Sequence, residues 1–321
     1  MKFQSFLSEI LKDYVAYRKA SGRESISYVK NVRHFDRYCA MEYPSAKELS
    51  QEMVDRWCRQ RDTECKNSCV SRIYPVFNFL RYAKTRGLTN VEIPVPPRST
   101  PKTYIPHAFT LEELQNFFRA CDSINCKYGL PGKIKKITVP VFFRLLYSSG
   151  MRTTEARLLR KEDVNLETGV VNIRYSKGNN QHFVVLHDTM LDLMKKYDAA
   201  ISKMIPGRIF FFMTTSNKGC SDSWVRYVFK NFWFQNNKAY AMAYELRHHY
   251  AVENINGWIG QGMNTHMRLL SLSKSMGHRD VESTKYYYSL VPGLSEIIEH
   301  TTGEKFNEII PNLPDDEESY S

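Results

Sequence analysis

Five prolines fall within the fifteen residues IPVPPRSTPKTYIPH, positions 93–107. Each fixes φ and lacks a backbone N–H, so neither a helix nor an interior strand runs through the stretch. It has no apolar periodicity either, and it reads as an extended linker. A chain of 321 residues divided at that point builds two cores rather than one. The expected organisation is a helical domain over 1–92, a linker over 93–107, a second domain over 108–302, and a C-terminal segment over 303–321. That last segment ends in the acidic run NLPDDEESYS, which reads as disordered.

Ahead of the linker the pattern is helical. FQSFLSEILKDYVAYRKASG sets Phe3, Phe6, Leu7, Ile10, Leu11, Tyr14 and Val15 at helical spacing and ends at Gly22. Three more helices follow in SYVKNVRHFDRYCAMEY, SQEMVDRWCRQR and CVSRIYPVFNFLRYAKTRG, with Pro75 inside the last as a potential kink. Residues 1–100 hold 18 Lys and Arg against 11 Asp and Glu, so this part carries +7 of a formal net charge of +11. Arg18, Lys19, Arg23, Lys30, Arg33 and Arg37 lie on the polar sides of the helices. A small, basic, all-helical domain of this kind suits phosphate neutralisation over a long footprint, and these six are candidate DNA contacts.

Beyond the linker, TLEE at Thr110 is a capping box with Glu113 at the third helical position. KITVPVFFRLLYSSGMRTTEARLLR reads as a buried helix, a break at Ser149-Gly150, and a second helix. Two strands follow, VVNIRYS and HFVVLH, joined by turn chemistry at Lys177-Gly178-Asn179-Asn180. The remainder is mostly helical. The fold class is therefore mainly α with a small antiparallel β-sheet, an α+β second domain behind an all-helical first one. Seven scattered cysteines indicate a reducing compartment, and Cys65-x3-Cys69 has no second Cys or His pair at zinc-site distance. No signal-peptide pattern and no apolar run of bilayer length is present, so a soluble cytoplasmic protein with no membrane partner is expected.

Four stretches place cations and a histidine at break points: SSGMRTTEARLL with Arg152, YSKGNNQHFVVL with Lys177, YELRHHYA with Arg247, and SMGHRDVESTKYYY with His278. Singly each has a bland explanation, because most surface charges stay solvated. In order and spacing, however, they resemble the signature of the tyrosine recombinase family: phage and transposon integrases and Xer-type recombinases. Gly150-Met151-Arg152 with Glu155 fits the first element, Lys177 the hairpin lysine, Arg247 followed by His248 the third element, and Gly277-His278 the fourth. Tyr244 stands where the family usually has histidine. Tyrosine keeps a hydrogen-bond donor but offers no base near neutrality.

The resemblance covers the whole chain and implies an N-terminal SAM-like core-binding domain and a catalytic domain that together clamp duplex DNA. It implies site-specific cleavage and rejoining through a 3′-phosphotyrosyl intermediate and a Holliday junction, in integration, excision or transposition of a mobile element. Arg152 and Arg247 would hold the non-bridging oxygens, Lys177 would protonate the departing 5′ oxygen, and His278 would bond a non-bridging oxygen or take the tyrosine proton, with Glu155 and His248 in support. Two permanently charged planar forks suit a phosphodiester whose oxygens gain charge in the transition state, and a lysine can release its proton. No metal or cofactor is implied. The implied partners are a double-stranded recombination site, further copies of the chain in a tetramer with C-terminal helix exchange, and accessory DNA-bending proteins. Rival readings are a type IB topoisomerase-like relaxing enzyme and a DNA-binding accessory protein with a decayed site.

STKYYYSL, residues 283–290, holds three consecutive tyrosines. A helix turns about 100° per residue, so the three cannot all face one phosphate. Family spacing from His278 falls on Tyr287 as nucleophile, with Tyr286 the alternative register and Tyr288 assigned to packing.

Overall fold

A computed structural model describes residues 2–23, 25–95, 97–98, 100, 105–125, 129–174, 176, 180–214, 218–258 and 265–287. The chain divides into two compact units, Met1–Tyr104 and Ile105–Ser321.

The first unit contains α1 (Ser8–Ala20), α2 (Ile26–Glu42), α3 (Gln51–Cys58) and α4 (Lys66–Lys84). Its core gathers Leu7, Leu11 and Tyr14, then Val32, Phe35, Val54 and Trp57, around Ile73, Val76, Phe79 and Leu80 of α4. Pro75 does not end α4. The carbonyl of Ser71, which a residue other than proline at 75 would bond, instead accepts from the Asn31 side chain of α2 at 3.2 Å. Asp36 pins the N-terminal segment: its buried carboxylate accepts from the backbone N–H of Gln4 and Ser5 and from the Ser5 hydroxyl, at 2.7 to 3.0 Å.

In the second unit, α5 (Leu111–Asp122) starts on the capping box, Thr110 Oγ1 accepting from Glu113 N and Glu113 Oε2 from Thr110 N. The apolar α6 (Gly129–Ser149) follows, with Val139, Phe142, Phe143, Leu145 and Leu146 all buried. It packs on α5, on α8 (Asp188–Met204) and on α10 (Glu245–Asn256). Between α7 (Thr153–Leu158) and α8 lies an antiparallel sheet, β1 (Val164–Asn165), β2 (Val170–Ile173) and β3 (His182–Val185), in that spatial order. Val171, Ile173 and Val184 point into the core, whereas Phe183 and Val185 on the other face of β3 are exposed. The sequence pattern anticipates β2 and β3; β1 is only two residues long and has no alternation to betray it. α9 (Asp222–Trp233), α11 (Thr265–Ser275) and the short α12 (Glu282–Lys285) complete the unit.

Two of these helices end in the same way. Gly150 follows α6 and Gly277 follows α11, both with φ of +62°. A left-handed residue there turns the chain and leaves helix-end carbonyls facing outward, where the negative end of the helix dipole attracts cations. Among the described residues no helix is long and apolar enough to cross a membrane.

Candidate active site

The two glycine turns are the scaffold of the site. Arg247, on the first turn of α10, is 1% exposed. Its Nη1 donates to the Gly150 carbonyl at 2.7 Å and its Nη2 to the Met276 carbonyl at 2.7 Å, with His278 Nε2 2.9 Å from the same Nη2. Its Nε is buried and has no hydrogen-bond partner among the described residues. Arg152, just before α7, is held by Glu155: Nη1 bonds Oε1 at 2.6 Å and the backbone N–H bonds Oε2 at 2.8 Å. The Ser176 hydroxyl bridges the pair, 3.0 Å from Arg152 Nη1 and 2.8 Å from Glu155 Oε1, and Arg152 Nη2 reaches the Gly277 carbonyl at 3.2 Å.

Neither glycine admits a side chain. A Cβ on Gly150 would lie 2.3 Å from Tyr250 Cδ1, and one on Gly277 would lie 2.3 Å from His182 Cε1. Gly277→Ala therefore combines left-handed strain with a steric overlap and moves the carbonyls that hold both arginines. A loss of about 2–4 kcal/mol of folding stability is expected, read from urea denaturation, together with loss of DNA cleavage. Unchanged stability would show that the turn relaxes around His182.

The charge balance of the cluster is uneven. Glu155 is ion-paired with Arg152, whereas no carboxylate of the described residues lies within ion-pair distance of Arg247. Burial first, and Arg152 next, lower the Arg247 pKa from the ordinary arginine range. A buried guanidinium whose Nε and charge have no partner among the described residues favours an anion.

His278 is fixed at both nitrogens. Arginine only donates, so Nε2 accepts from Arg247 and Nδ1 carries the proton toward Thr284 Oγ1, 2.6 Å away. Burial, then Arg247 and Arg152, lower its pKa to about 4, so the ring is neutral at physiological pH. Tyr287 lies 3% exposed against Ala251, Ile255, Leu272 and Met276. Its ring stacks on His278 with centroids 6.1 Å apart and planes 11° apart. Burial raises its pKa, and the neighbouring Arg247 opposes that rise. Tyr286 is 45% exposed.

Arg152, Glu155, Arg247, His248, His278 and Tyr287 thus converge from α7, α10, the α11 turn and the end of α12. Tyr244 is 42% exposed at the start of α10, its ring 5.2 Å from His248. Lys177 lies outside the described residues, as do Tyr288 and the segment 303–321; the flanking Ser176 is in the cluster. Sequence reasoning missed Ser176, Thr284 and His182. Ser176 adjoins the hairpin lysine and Thr284 precedes the tyrosines, but neither has a pattern to mark it.

In the first unit, Lys19, Arg23, Lys30, Arg33 and Arg37 are exposed. Arg18 instead lies over the Tyr28 ring at 3.7 Å and donates to the Arg23 carbonyl. Lys30, His34 and Arg37 follow one another along α2. Burial and then the charges of Lys30, Arg37 and Arg61 lower the His34 pKa, which adds His34 and Arg61 to the basic face. Among the described residues no group of three or more His, Cys, Asp or Glu is placed to hold a metal ion.

A helical unit followed by an α+β unit, with arginines, histidine and tyrosine gathered at two helix ends, is an architecture with clear relatives. A model of the Phage integrase family matches residues 108–292. The chain is 24% identical over 299 residues to "Putative integrase/recombinase y4rE" of Sinorhizobium fredii, covering 89% of this chain and 92% of that protein. Among solved structures it is similar to the XerH site-specific recombinase bound to its palindromic difH substrate in a post-cleavage complex. There the TM-score is 0.60 at 16% identity, over 86% of this chain and 78% of the other. It is also similar to a lambda integrase tetramer bound to a Holliday junction, with TM-score 0.57 at 14% identity, over 86% of this chain and 76% of that one. The chain belongs to the phage integrase family, the tyrosine recombinases that cleave and rejoin DNA.

Proposed function

We propose that the chain is a site-specific recombinase of a mobile element, acting on duplex DNA through a 3′-phosphotyrosyl bond to Tyr287. The observation that carries the reading is Arg247: a buried guanidinium without a carboxylate partner, beside a second arginine and a buried tyrosine. Arg152 and Arg247 bind the non-bridging oxygens of the scissile phosphate and stabilise the charge that grows there. Tyr287 attacks phosphorus, and Lys177 protonates the departing 5′ oxygen. His278, neutral and locked between Thr284 and Arg247, positions the guanidinium. The covalent bond conserves the phosphodiester linkage, so rejoining to a new 5′ hydroxyl needs no external energy source.

The neighbours captured on DNA, one of them a tetramer on a Holliday junction, support a DNA partner and assembly of several copies for this chain too. The segment 303–321 is the proposed exchanged element, and accessory bending proteins would assist. The exposed cations of α1 and α2 supply phosphate contacts from the first unit. Incubation with a nicked suicide substrate bearing the element's own joined ends tests the reading. A covalent protein–DNA adduct is expected, and its absence would overturn it. Affinity for that DNA should fall by about 10³–10⁵ between 50 and 200 mM salt if six to ten phosphates are contacted. A nearly flat response would contradict the multi-phosphate footprint.

A further inference from the structure

The site contains a second imidazole that these roles leave unused. His248 follows Arg247 on α10, and its ring is surrounded by tyrosines: Tyr244 at 5.2 Å, Tyr287 at 5.5 Å and Tyr286 at 6.4 Å between centroids. Its Nδ1 is buried and has no hydrogen-bond partner among the described residues. Resting on the recombinase reading above, we propose that His248 takes the phenolic proton of Tyr287 during cleavage and returns it during rejoining.

The alternative acceptor is His278, and its bonding disqualifies it. Nε2 already accepts from Arg247 and Nδ1 is engaged with Thr284. Taking a second proton would break the Arg247 contact and place a buried imidazolium beside two arginines; burial first, and the two arginines next, lower its pKa to about 4. Tyr244, one turn before His248 on the same face of α10, has no basic site. Burial comes first for His248 too and lowers its pKa, but next in weight is Glu245, which raises it, ahead of Arg247, which lowers it. The buried Glu245 carboxylate, held by the backbone N–H groups of Met242 and His107, favours the imidazolium once it forms. The groups facing His248 are thus Tyr244, Glu245 and Arg247 from its own helix, and Tyr286 and Tyr287 from the end of α12.

The step balances. The Tyr287 Oη–phosphorus bond forms as the phosphorus–5′ oxygen bond breaks. The phenolic proton passes to His248 Nδ1, and the 5′ oxygen takes its proton from Lys177. In rejoining, the 5′ hydroxyl attacks phosphorus and gives its proton back to Lys177 as the phosphorus–Tyr287 Oη bond breaks, and the departing Tyr287 oxygen takes its proton back from the His248 imidazolium.

A sulfur substitution separates the two proton transfers, because a 5′-bridging thiolate leaves without being protonated. Single-turnover adduct formation is measured for the full chain on two suicide substrates, one with a 5′ oxygen and one with a 5′ sulfur at the scissile phosphate. His248→Gln and His248→Ala should bind DNA as the wild type does but form adduct about 10²–10⁴-fold more slowly on both substrates. Their rates should rise tenfold per pH unit where the wild type is level, and added imidazole should restore His248→Ala. Wild-type rates with either variant, or recovery on the sulfur substrate, would overturn the proposal. If neither variant folds, the wild type on the sulfur substrate decides. A level rate from pH 7 to 9 supports an imidazole acceptor, and a continuous tenfold rise per unit overturns it. Complete absence of adduct from the wild type would overturn the recombinase reading and this one with it, whereas failure confined to the His248 variants' behaviour overturns this one alone.

Discussion

Tyr287→Phe should abolish the covalent protein–DNA adduct and leave DNA affinity within about twofold, whereas Tyr286→Phe should retain the adduct. The expected loss is complete, because phenylalanine has no oxygen to attack phosphorus. The side chains differ in more than register. Tyr287 is buried against His278 and the Ala251–Met276 cluster, while Tyr286 is nearly half exposed. Phenylalanine fills the volume of the ring, so a change in folding stability below about 1 kcal/mol is expected. Gel separation of adducts from the two variants and the wild type checks the result. An adduct persisting in Tyr287→Phe and vanishing in Tyr286→Phe would move the nucleophile by one residue.

The second large effect belongs to Arg247. Replacing it with lysine should lower the cleavage rate by about 10²–10³-fold, in the range seen when one preorganised donor to a developing charge is removed. Lysine keeps the charge. Its ammonium, however, cannot serve the Gly150 and Met276 carbonyls and His278 in the plane of a guanidinium while leaving a donor for phosphate. Arg247→Met separates catalysis from folding. It orphans two carbonyls and His278 Nε2, which costs about 1–3 kcal/mol each, and it removes a buried charge that has no carboxylate partner among the described residues, which relieves a penalty of several kcal/mol. The two nearly cancel, so stability within about 1 kcal/mol of the wild type is expected alongside lost cleavage. A destabilisation above about 3 kcal/mol in urea denaturation would make Arg247 a structural residue first.

Much of this was legible in the sequence because it is written locally. Helical periodicity marks α1 to α4, the Thr110 capping box marks the start of α5, and alternation marks β2 and β3. Gly150-x-Arg152 and Gly277-His278 are short strings whose glycines the backbone itself demands. What escaped depends on contacts between distant segments. The Ser176 bridge joins β2's exit to α7, the Thr284 bond fixes the His278 tautomer, and His182 lies against Gly277 from another element. None follows from spacing along one element. The N-terminal cations show the reverse case. Arg18 has the right charge and side of its helix, yet it folds over Tyr28, while Arg61, far away in sequence, joins Lys30 and Arg37 around His34.

Three of the six atoms that hold the two guanidinium groups belong to the backbone: the carbonyls of Gly150, Met276 and Gly277. Main-chain oxygens are the same whatever side chain they adjoin. The clamp should therefore tolerate side-chain changes at the exposed positions of α6 and α11, beyond the core positions that any substitution disturbs, and be most fragile at Gly150 and Gly277, where a single methyl group closes the turn. A saturation library across 139–151 and 267–279 would map that contrast directly.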